Sequence, residues 1–301
     1  MRIVSLIPSA TEIVCALGFE KDLVGRSHEC DFPSTVTRLP ICTEPKFNPE
    51  GTSYEIDQRV KAILQEALSV YRVDGDLLRS LKPDVIVTQS QCEVCAVNMA
   101  EVESVVAQWL GEKPRLVSLS PCSLDDVFDD FLRVARALDA SARGDELVRE
   151  TQARMAAVKD KAAKLSGRPS VACIEWIDPL MAAGNWMPEL VTMAGGKNLF
   201  GTAGQHSPWM KFDDLVERDP DVVLLSPCGF TIDRALQDLP ELKADPRWDA
   251  LKAVRERRVY AADGSQFFNR PGPRLADSLE ILAELIHPNA FKFGHSGWRQ
   301  L

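Results

Sequence analysis

The chain has 301 residues, 45% of them hydrophobic and 26% charged, which is typical of a globular protein and suits two domains of about 150 residues each. Its net charge is −9 and its isoelectric point is near 5.1. Such a surface repels nucleic acid and anionic lipid, so we expect neither as its main partner. No run approaches the ~18 apolar residues of a membrane-spanning helix, so we expect no insertion into a membrane.

The first 19 residues, MRIVSLIPSATEIVCALGF, only loosely resemble a signal peptide. Pro8 ends the apolar run, and Glu12 stands where such a run should continue. The pattern instead predicts a strand over 3–7, a turn at Pro8 and Ser9, and an amphipathic helix from Thr11. As it stands, the sequence predicts a cytoplasmic protein. A processed chain with a new initiator Met would look the same and would be periplasmic.

Two segments of the chain resemble each other: LKPDVIVTQSQC at 81–92 and ERDPDVVLLSPC at 217–228. Each predicts a strand buried on both faces, as in a parallel sheet, followed by a loop that carries a cysteine. Two further pairs of segments match in the same order, 2–19 with 170–196 and 115–138 with 257–286. The repetition indicates two lobes of the same architecture.

The segment between these lobes is rich in Ala, Leu, Arg, Glu and Lys, which favours helix. Its part from 144 to 166 would form one stiff helix about 35 Å long. We therefore predict an α/β fold with two Rossmann-like lobes, 1–122 and 168–301, each with a central parallel sheet. The helical linker, 123–167, joins them.

Ligands bind beyond the carboxyl ends of the strands in open parallel sheets, which predicts a ligand cleft between the two lobes. Its walls would be the strand-exit loops, which are rich in Cys, Trp, Phe, His, Glu and Arg: 7–12, 27–32, 88–95, 175–186, 226–230 and 266–274. Large apolar faces with a few polar groups suit an aromatic or macrocyclic ligand.

Six motifs spread along the chain resemble one known family: SLIPSATEIVCALG, GRSHECDFP, TQSQCEVCAV, AGNWMPELVTMAGG, DPDVVLLSPCGF and NRPGPRLADSLEILAELIHP. The family is that of ABC-importer substrate-binding proteins whose lobes are joined by a single long helix. These proteins take up cobalamin, haem and iron-siderophores, and the cobalamin-binding branch is the most similar. The resemblance implies a corrinoid such as cobalamin, or a related metal chelate, as the small-molecule ligand, and an ABC permease as a partner.

Specific residues of the loops are predicted to hold such a ligand. Trp186 lies in an irregular loop, where a flat ring would stack on it, with Phe267 or Phe268 supplying a further face. Arg270 and the helix N-terminus near Ser9 would bind anionic groups of the ligand. The remaining predicted ligand-binding residues come from the cysteine-bearing loops: Cys30, Gln91, Cys92 and Cys228.

The C-x-x-C of Cys92 and Cys95 has several interpretations. The two thiols could be structural, or they could form a redox pair, although the two-lobed architecture does not suit that role. A closed zinc site is weakly supported, since no second C-x-x-C is present. They could also bind a soft metal ion together with His28, Cys30 and Cys228. The alternative function is therefore a cytoplasmic metal- or thiol-dependent protein that uses Cys30, Cys92, Cys95 and Cys228.

Catalysis has little support in the sequence. It contains no Ser–His–Asp spacing, P-loop or G-x-G-x-x-G, and no pair of groups persuasive as acid and base, so we predict that the protein is not an enzyme. Other residues are expected to be structural: Cys15, Cys42 and Cys173 in the core, Trp109 and Trp248 in packing, and His287 at a helix C-terminus.

Overall fold

The computed structural model describes residues 1–65, 70–90, 99–107, 109 and 113–301. The chain divides into two compact units. The first comprises Met1–Glu50, Gln58–Pro121 and Asp125–Glu150. The second comprises Gly51–Asp57, Cys122–Leu124 and Thr151–Leu301.

The first unit alternates strands and helices. Its strands are β1 (Ile3–Ser5), β2 (Leu23–Arg26), β3 (Thr43–Pro45), β4 (Tyr71–Val73), β5 (Val85–Gln89) and β6 (Arg115–Leu119). The helices of this half of the chain are α1 (Pro8–Ala16), α2 (Ser53–Gln65), α3 (Gly75–Ser80), α4 (Met99–Ala107), α5 (Leu124–Ala137) and α6 (Ser141–Ala162). Among the residues described, the main sheet has the parallel strand order β2-β1-β5-β6, and β3 pairs with β4 in a small antiparallel ribbon.

Burial explains the order of these strands. All residues of β1 and β5 are buried, as expected for the central strands of a sheet covered on both faces. Because the strands are parallel, their carboxyl ends meet at one edge of the sheet, to which Ser5, Arg26 and Gln89 belong.

The second unit repeats this arrangement. Its strands are β7 (Ser170–Trp176), β8 (Met181–Ala182), β9 (Lys197–Asn198), β10 (Val222–Leu225), β11 (Val259–Ala262) and β12 (Trp298–Gln300). Its helices, after the last part of α6, are α7 (Met187–Met193), α8 (Phe212–Arg218), α9 (Ile232–Gln237), α10 (Leu239–Lys243), α11 (Lys252–Arg255) and α12 (Leu275–Ile286).

The sheet of the second unit runs β12-β11-β10-β7-β8, with β9 also paired to β7. Strands β7, β10 and β11 are parallel to one another, whereas β8 and β12 are antiparallel to their neighbours. A buried apolar cluster that includes Val223, Leu225 and Trp248 packs on this sheet. The α/β fold predicted from the sequence is confirmed, and the buried Trp248 is a packing residue as expected.

One detail of the sequence predictions needs correction. Helix α1 begins at Pro8 rather than Thr11, because proline suits the first turn of a helix. Its N-cap is Ile7, which makes no capping hydrogen bond through its side chain. The helical linker predicted over 123–167 stays a prediction. Helix α5 packs within the first unit, and α6 belongs to the first unit up to Glu150 and to the second from Thr151.

The cysteines expected in the core are buried or half-buried. Burial raises the pKa of Cys15 and Cys173 to about 12 and that of Cys42 to about 11. These thiols are therefore poor nucleophiles and act as small apolar residues.

Candidate functional site

The carboxyl edge of the first sheet carries a buried polar cluster. Thr11 Oγ1 lies 2.8 Å from Ser5 Oγ and 3.0 Å from the sulfur of Cys30. Cys30, predicted to line a ligand site, is almost completely buried. Its thiol therefore belongs to a hydrogen-bonded interior rather than to an exposed loop.

Two buried polar atoms at this edge have no hydrogen-bond partner within the described residues, Ser9 Oγ and Gln89 Oε1. Ser9 is the second residue of α1, and Gln89 is the last residue of β5. Buried polar atoms are rarely left without a partner, so these two suit a polar group of a ligand. The predicted residues Gln91, Cys92 and Cys95 follow closely along the chain and lie outside the described residues.

His28 follows strand β2 in the same unit. Its Nδ1 lies 2.8 Å from Thr43 Oγ1, and its ring packs at 5.1 Å from that of Tyr71. Burial, together with the charge of Arg26, lowers the pKa of His28 below its ordinary value. The neutral imidazole is thereby favoured at neutral pH, which is the form that binds a metal.

In the second unit, an aromatic pair marks the carboxyl ends of β7 and β10. The rings of Trp176 and Phe230 are 5.0 Å apart and tilted by 50°. The guanidinium of Arg234 lies 4.1 Å above the Phe230 ring, a cation–π contact that fixes one side of the pair. Trp176 remains half-buried, and its indole N–H donates to Asp178 O at 3.1 Å.

Polar groups surround this pair along the same edge. Ser207 donates to Glu175 Oε2 at 2.9 Å, and Asn269 Nδ2 donates to Ser226 O at 2.9 Å. Ser226 Oγ is buried without a partner in the described part of the chain. The backbone N–H of the half-buried Cys228 donates to Glu175 O at 3.1 Å, so Cys228 belongs to this edge as expected.

The loop after β11 carries two arginines, Arg270 and Arg274. Arg270 is buried, and its Nη2 lies 3.4 Å from Ser265 Oγ. Arg274 donates to Gln266 Oε1 at 3.2 Å, and its guanidinium lies 5.3 Å from the centre of the Phe267 ring. Phe267 is thus half-buried beneath a cation rather than a free aromatic face.

Two predicted ligand-stacking residues are buried side chains. Trp186 is 5% exposed, and its indole N–H donates to Phe268 O at 2.7 Å. Phe268 is completely buried, and its backbone, in the left-handed region at φ 64°, is held by a hydrogen bond from its N–H to Ser278 Oγ. Both rings pack in the interior of the second unit, because the irregular loops that carry them fold back onto the core, and their contact with a ligand stays a prediction.

Within the described residues, one cluster of side chains has the spacing needed to bind a metal ion: Asp277, Glu280 and His295. Each offers one ligand atom, and these atoms lie within 4.8 Å of one another. Arg154 Nη2 lies 2.6 Å from Asp277 Oδ1 and 2.5 Å from Glu280 Oε2. A guanidinium therefore already provides the cation in this cluster.

The predicted soft-metal residues His28, Cys30 and Cys228 are not part of that cluster. Their proposed companions Cys92 and Cys95 lie outside the described residues. A metal site at the C-x-x-C therefore stays a prediction.

Sequence reasoning favoured Trp186 and missed the pairing of Trp176 with Phe230. The sequence does hold a signal for this pair. Trp176 ends one apolar run, and Phe230 ends the loop that follows another, the run that forms β10. Parallel pairing of β7 and β10 brings these two ends together, and pairing is not visible in either segment alone.

Comparisons with known proteins agree with this fold. A sequence model described as periplasmic binding protein matches residues 3–265. An ABC transporter substrate-binding lipoprotein of Bacillus subtilis is 24% identical over 97% of this chain and 81% of its own length. A vitamin B12-binding protein of Vibrio parahaemolyticus is 24% identical over 94% of this chain and 88% of its own length.

Solved structures show the same architecture. A periplasmic haem-binding protein of Pseudomonas aeruginosa superposes with a TM-score of 0.74 at 20% identity, over 99% of this chain and 97% of that chain. A periplasmic vitamin B12-binding protein of Vibrio cholerae superposes with a TM-score of 0.66 at 20% identity, over 95% and 96%. At these identities the likeness concerns the fold.

The chain belongs to the periplasmic binding protein family. It is a substrate-binding protein of the ABC-importer class, and such proteins are transport components rather than enzymes. The family's periplasmic description and the lipoprotein relative do not support the cytoplasmic location expected from the sequence. Within the described residues, no helix combines the length and apolar character needed to cross a membrane.

Proposed function

We propose that this protein binds a corrinoid, or a closely related metal chelate, as the substrate-binding component of an ABC importer. The observation that carries the proposal is the edge of the second sheet, which holds the Trp176–Phe230 pair and Ser226 Oγ, a buried hydroxyl with no partner among the described residues. A flat macrocycle presents an apolar face to stack on such a pair and polar substituents at its rim.

The aromatic part of the proposed site is Trp176. Its half-buried indole is held by the hydrogen bond to Asp178 O and by the ring of Phe230, so little side-chain entropy is lost on stacking. Ser226 Oγ and the carboxylate of Glu175 lie along the same edge and would meet amide or hydroxyl groups of the ligand.

The first unit offers separate polar groups, Ser9 Oγ and Gln89 Oε1, at the carboxyl edge of its own sheet. Ser9 lies in the first turn of α1, where free backbone N–H groups favour an anionic or strongly polar ligand group. Gln91 and Cys92, which follow Gln89 along the chain and lie outside the described residues, stay predicted ligand contacts.

The choice of a corrinoid rests on the relatives, several of which are named vitamin B12-binding proteins. Haem and ferric citrate are the competing ligands, since structural neighbours are named haem-binding proteins and one relative is named an Fe(3+)-citrate-binding protein. We further propose that the protein acts outside the cytoplasm and delivers its ligand to an ABC permease.

Titration of the purified protein with cyanocobalamin, haem and ferric citrate tests the ligand. We expect saturable quenching of tryptophan fluorescence by cyanocobalamin. Trp176→Ala should weaken this binding by about 5- to 150-fold, given the ~1–3 kcal/mol that stacking on an aromatic side chain contributes.

Trp298→Ala is the matched control, because Trp298 lies on β12, at the other end of the second sheet. Its removal should leave the affinity unchanged. If cyanocobalamin binds no more tightly than haem or ferric citrate, the corrinoid assignment is wrong. If Trp176→Ala binds like the parent protein, the proposed stacking site is wrong.

A further inference from the structure

The second unit has a depression of about 620 Å³ beside the short strand β9. It is formed by one side of α7, by β9 and by Lys159 from the end of α6. Arg168 and Lys197 stand at the amino ends of β7 and β9. Strand β7 has seven residues, or ~20 Å. The depression thus lies at the opposite end of β7 from Trp176 and is separate from the proposed ligand site.

Three cations line this depression: Lys159, Arg168 and Lys197. All three are exposed, and within the part of the chain that the structure describes their side chains make no ion pair or hydrogen bond. Some other cations of this unit are paired, as Lys252 is with Asp221 Oδ1 at 2.6 Å. A chain of net charge −9 therefore leaves three positive charges unmatched around one concavity.

The remaining lining residues define what could bind there. Among the described residues that line the depression, Glu189 is the one carboxylate. Its Oε2 already accepts a hydrogen bond from the Leu124 N–H at 3.0 Å. Pro188, Met193 and Ala203 supply an apolar surface. The charge and the surface together suit an anion of more than one charge that carries a short apolar part.

We propose that this depression binds the phosphate group of a phosphate monoester, either a soluble glycerol phosphate or the headgroup of phosphatidic acid. A phosphate monoester carries close to two negative charges at neutral pH, and Lys and Arg are the side chains that bind phosphate. A single carboxylate would leave two of the three cations unmatched. The local positive field acts over about 10 Å at 0.1 M salt, so it operates despite the acidic net charge.

The test compares glycerol 3-phosphate with vesicles of phosphatidic acid in phosphatidylcholine, using the whole chain. Calorimetry should show saturable binding of glycerol 3-phosphate that weakens as salt is added. Flotation of vesicles with and without phosphatidic acid shows whether a lipid headgroup is also bound. The variant K159Q/R168Q/K197Q should lose at least tenfold in affinity for whichever probe binds.

The matched control, K164Q/K243Q/K292Q, removes the same charge from lysines that do not line the depression. It should retain binding to within about twofold, and circular dichroism should confirm that both variants are folded. Binding of glycerol 3-phosphate without flotation assigns a soluble ester, whereas flotation assigns a headgroup. Equal losses in both variants, or no saturable binding of either probe, would overturn the proposal.

Discussion

Asp130, on helix α5, is a buried carboxyl group whose charged form is poorly stabilised. Burial raises its pKa from 3.8 to about 7, although the charge of Arg133 and a backbone hydrogen bond at Ser120 act in the opposite direction. Its Oδ2 has no partner within the described residues. The folded protein therefore keeps this proton at a pH where the unfolded chain has lost it.

The free energy of unfolding should accordingly fall as the pH rises from about 4 to about 7, because unfolding releases the proton of Asp130 in that window. Asp130→Asn, which cannot ionise, should remove this contribution. Urea midpoints at pH 5 and pH 8 measure it, with the exposed Asp129→Asn as control. An unchanged pH dependence in Asp130→Asn would show that this carboxyl group titrates normally.

The hydrogen bond of Trp186 is a second feature at the residue scale. Trp186→Phe removes the donor to Phe268 O and leaves that buried carbonyl oxygen without its indole partner. We expect a loss of about 1–2 kcal/mol in the free energy of unfolding. Trp298→Phe is the control, since Trp298 Nε1 is buried with no partner in the described residues and its removal should cost less. Equal losses in the two variants would contradict this role for the hydrogen bond.

At the scale of elements, Arg154 on helix α6 forms ion pairs with helix α12. Its Nε and Nη2 donate to the two oxygens of Glu280 at 2.6 and 2.5 Å, and His295 Nε2 lies 2.6 Å from Glu280 Oε2. Burial alone would raise the pKa of Glu280, but the hydrogen bonds from Arg154 and His295 lower it below its ordinary value. The carboxylate is therefore charged in the folded protein and depends on these partners.

Arg154→Met should destabilise the protein by about 2 kcal/mol, because it leaves a nearly buried carboxylate without its principal cation. The estimate is below that for a fully buried pair, since Arg154 is 43% exposed. Arg149→Met, on the same helix, removes an exposed pair with Glu146 and should cost less than 1 kcal/mol. Thermal unfolding of both variants provides the measurement, and similar losses would exclude a special role for Arg154.

At the scale of the whole molecule, the proposed function couples to stability. A ligand that binds only the folded protein raises the free energy of unfolding by ~2.7 kcal/mol at 100 times its dissociation constant. Cyanocobalamin should therefore raise the melting temperature with increasing concentration, and Trp176→Ala should need a higher concentration for the same rise. A melting temperature that does not change with cyanocobalamin would contradict the proposed ligand.

Much of the fold could be predicted from local patterns. The segments 81–92 and 217–228 contain β5 and β10, the stretch 144–166 overlaps α6, and the final helix occupies Leu275–Ile286, with His287 as its C-cap. These predictions rest on apolar runs and on the helical spacing of apolar residues. Both patterns indicate which residues of a single strand or helix are buried. The boundaries were less certain, as the start of α1 at Pro8 shows.

The sequence by itself determined the class of fold, its repetition along the chain and the strand-exit loops where a ligand would bind. The tertiary structure decided which side chains of those loops are accessible. It buried Trp186 and Phe268, paired Trp176 with Phe230, and left Lys159, Arg168 and Lys197 around one depression. Accessibility depends on contacts between residues far apart in the chain, and the pattern within one loop does not report those contacts.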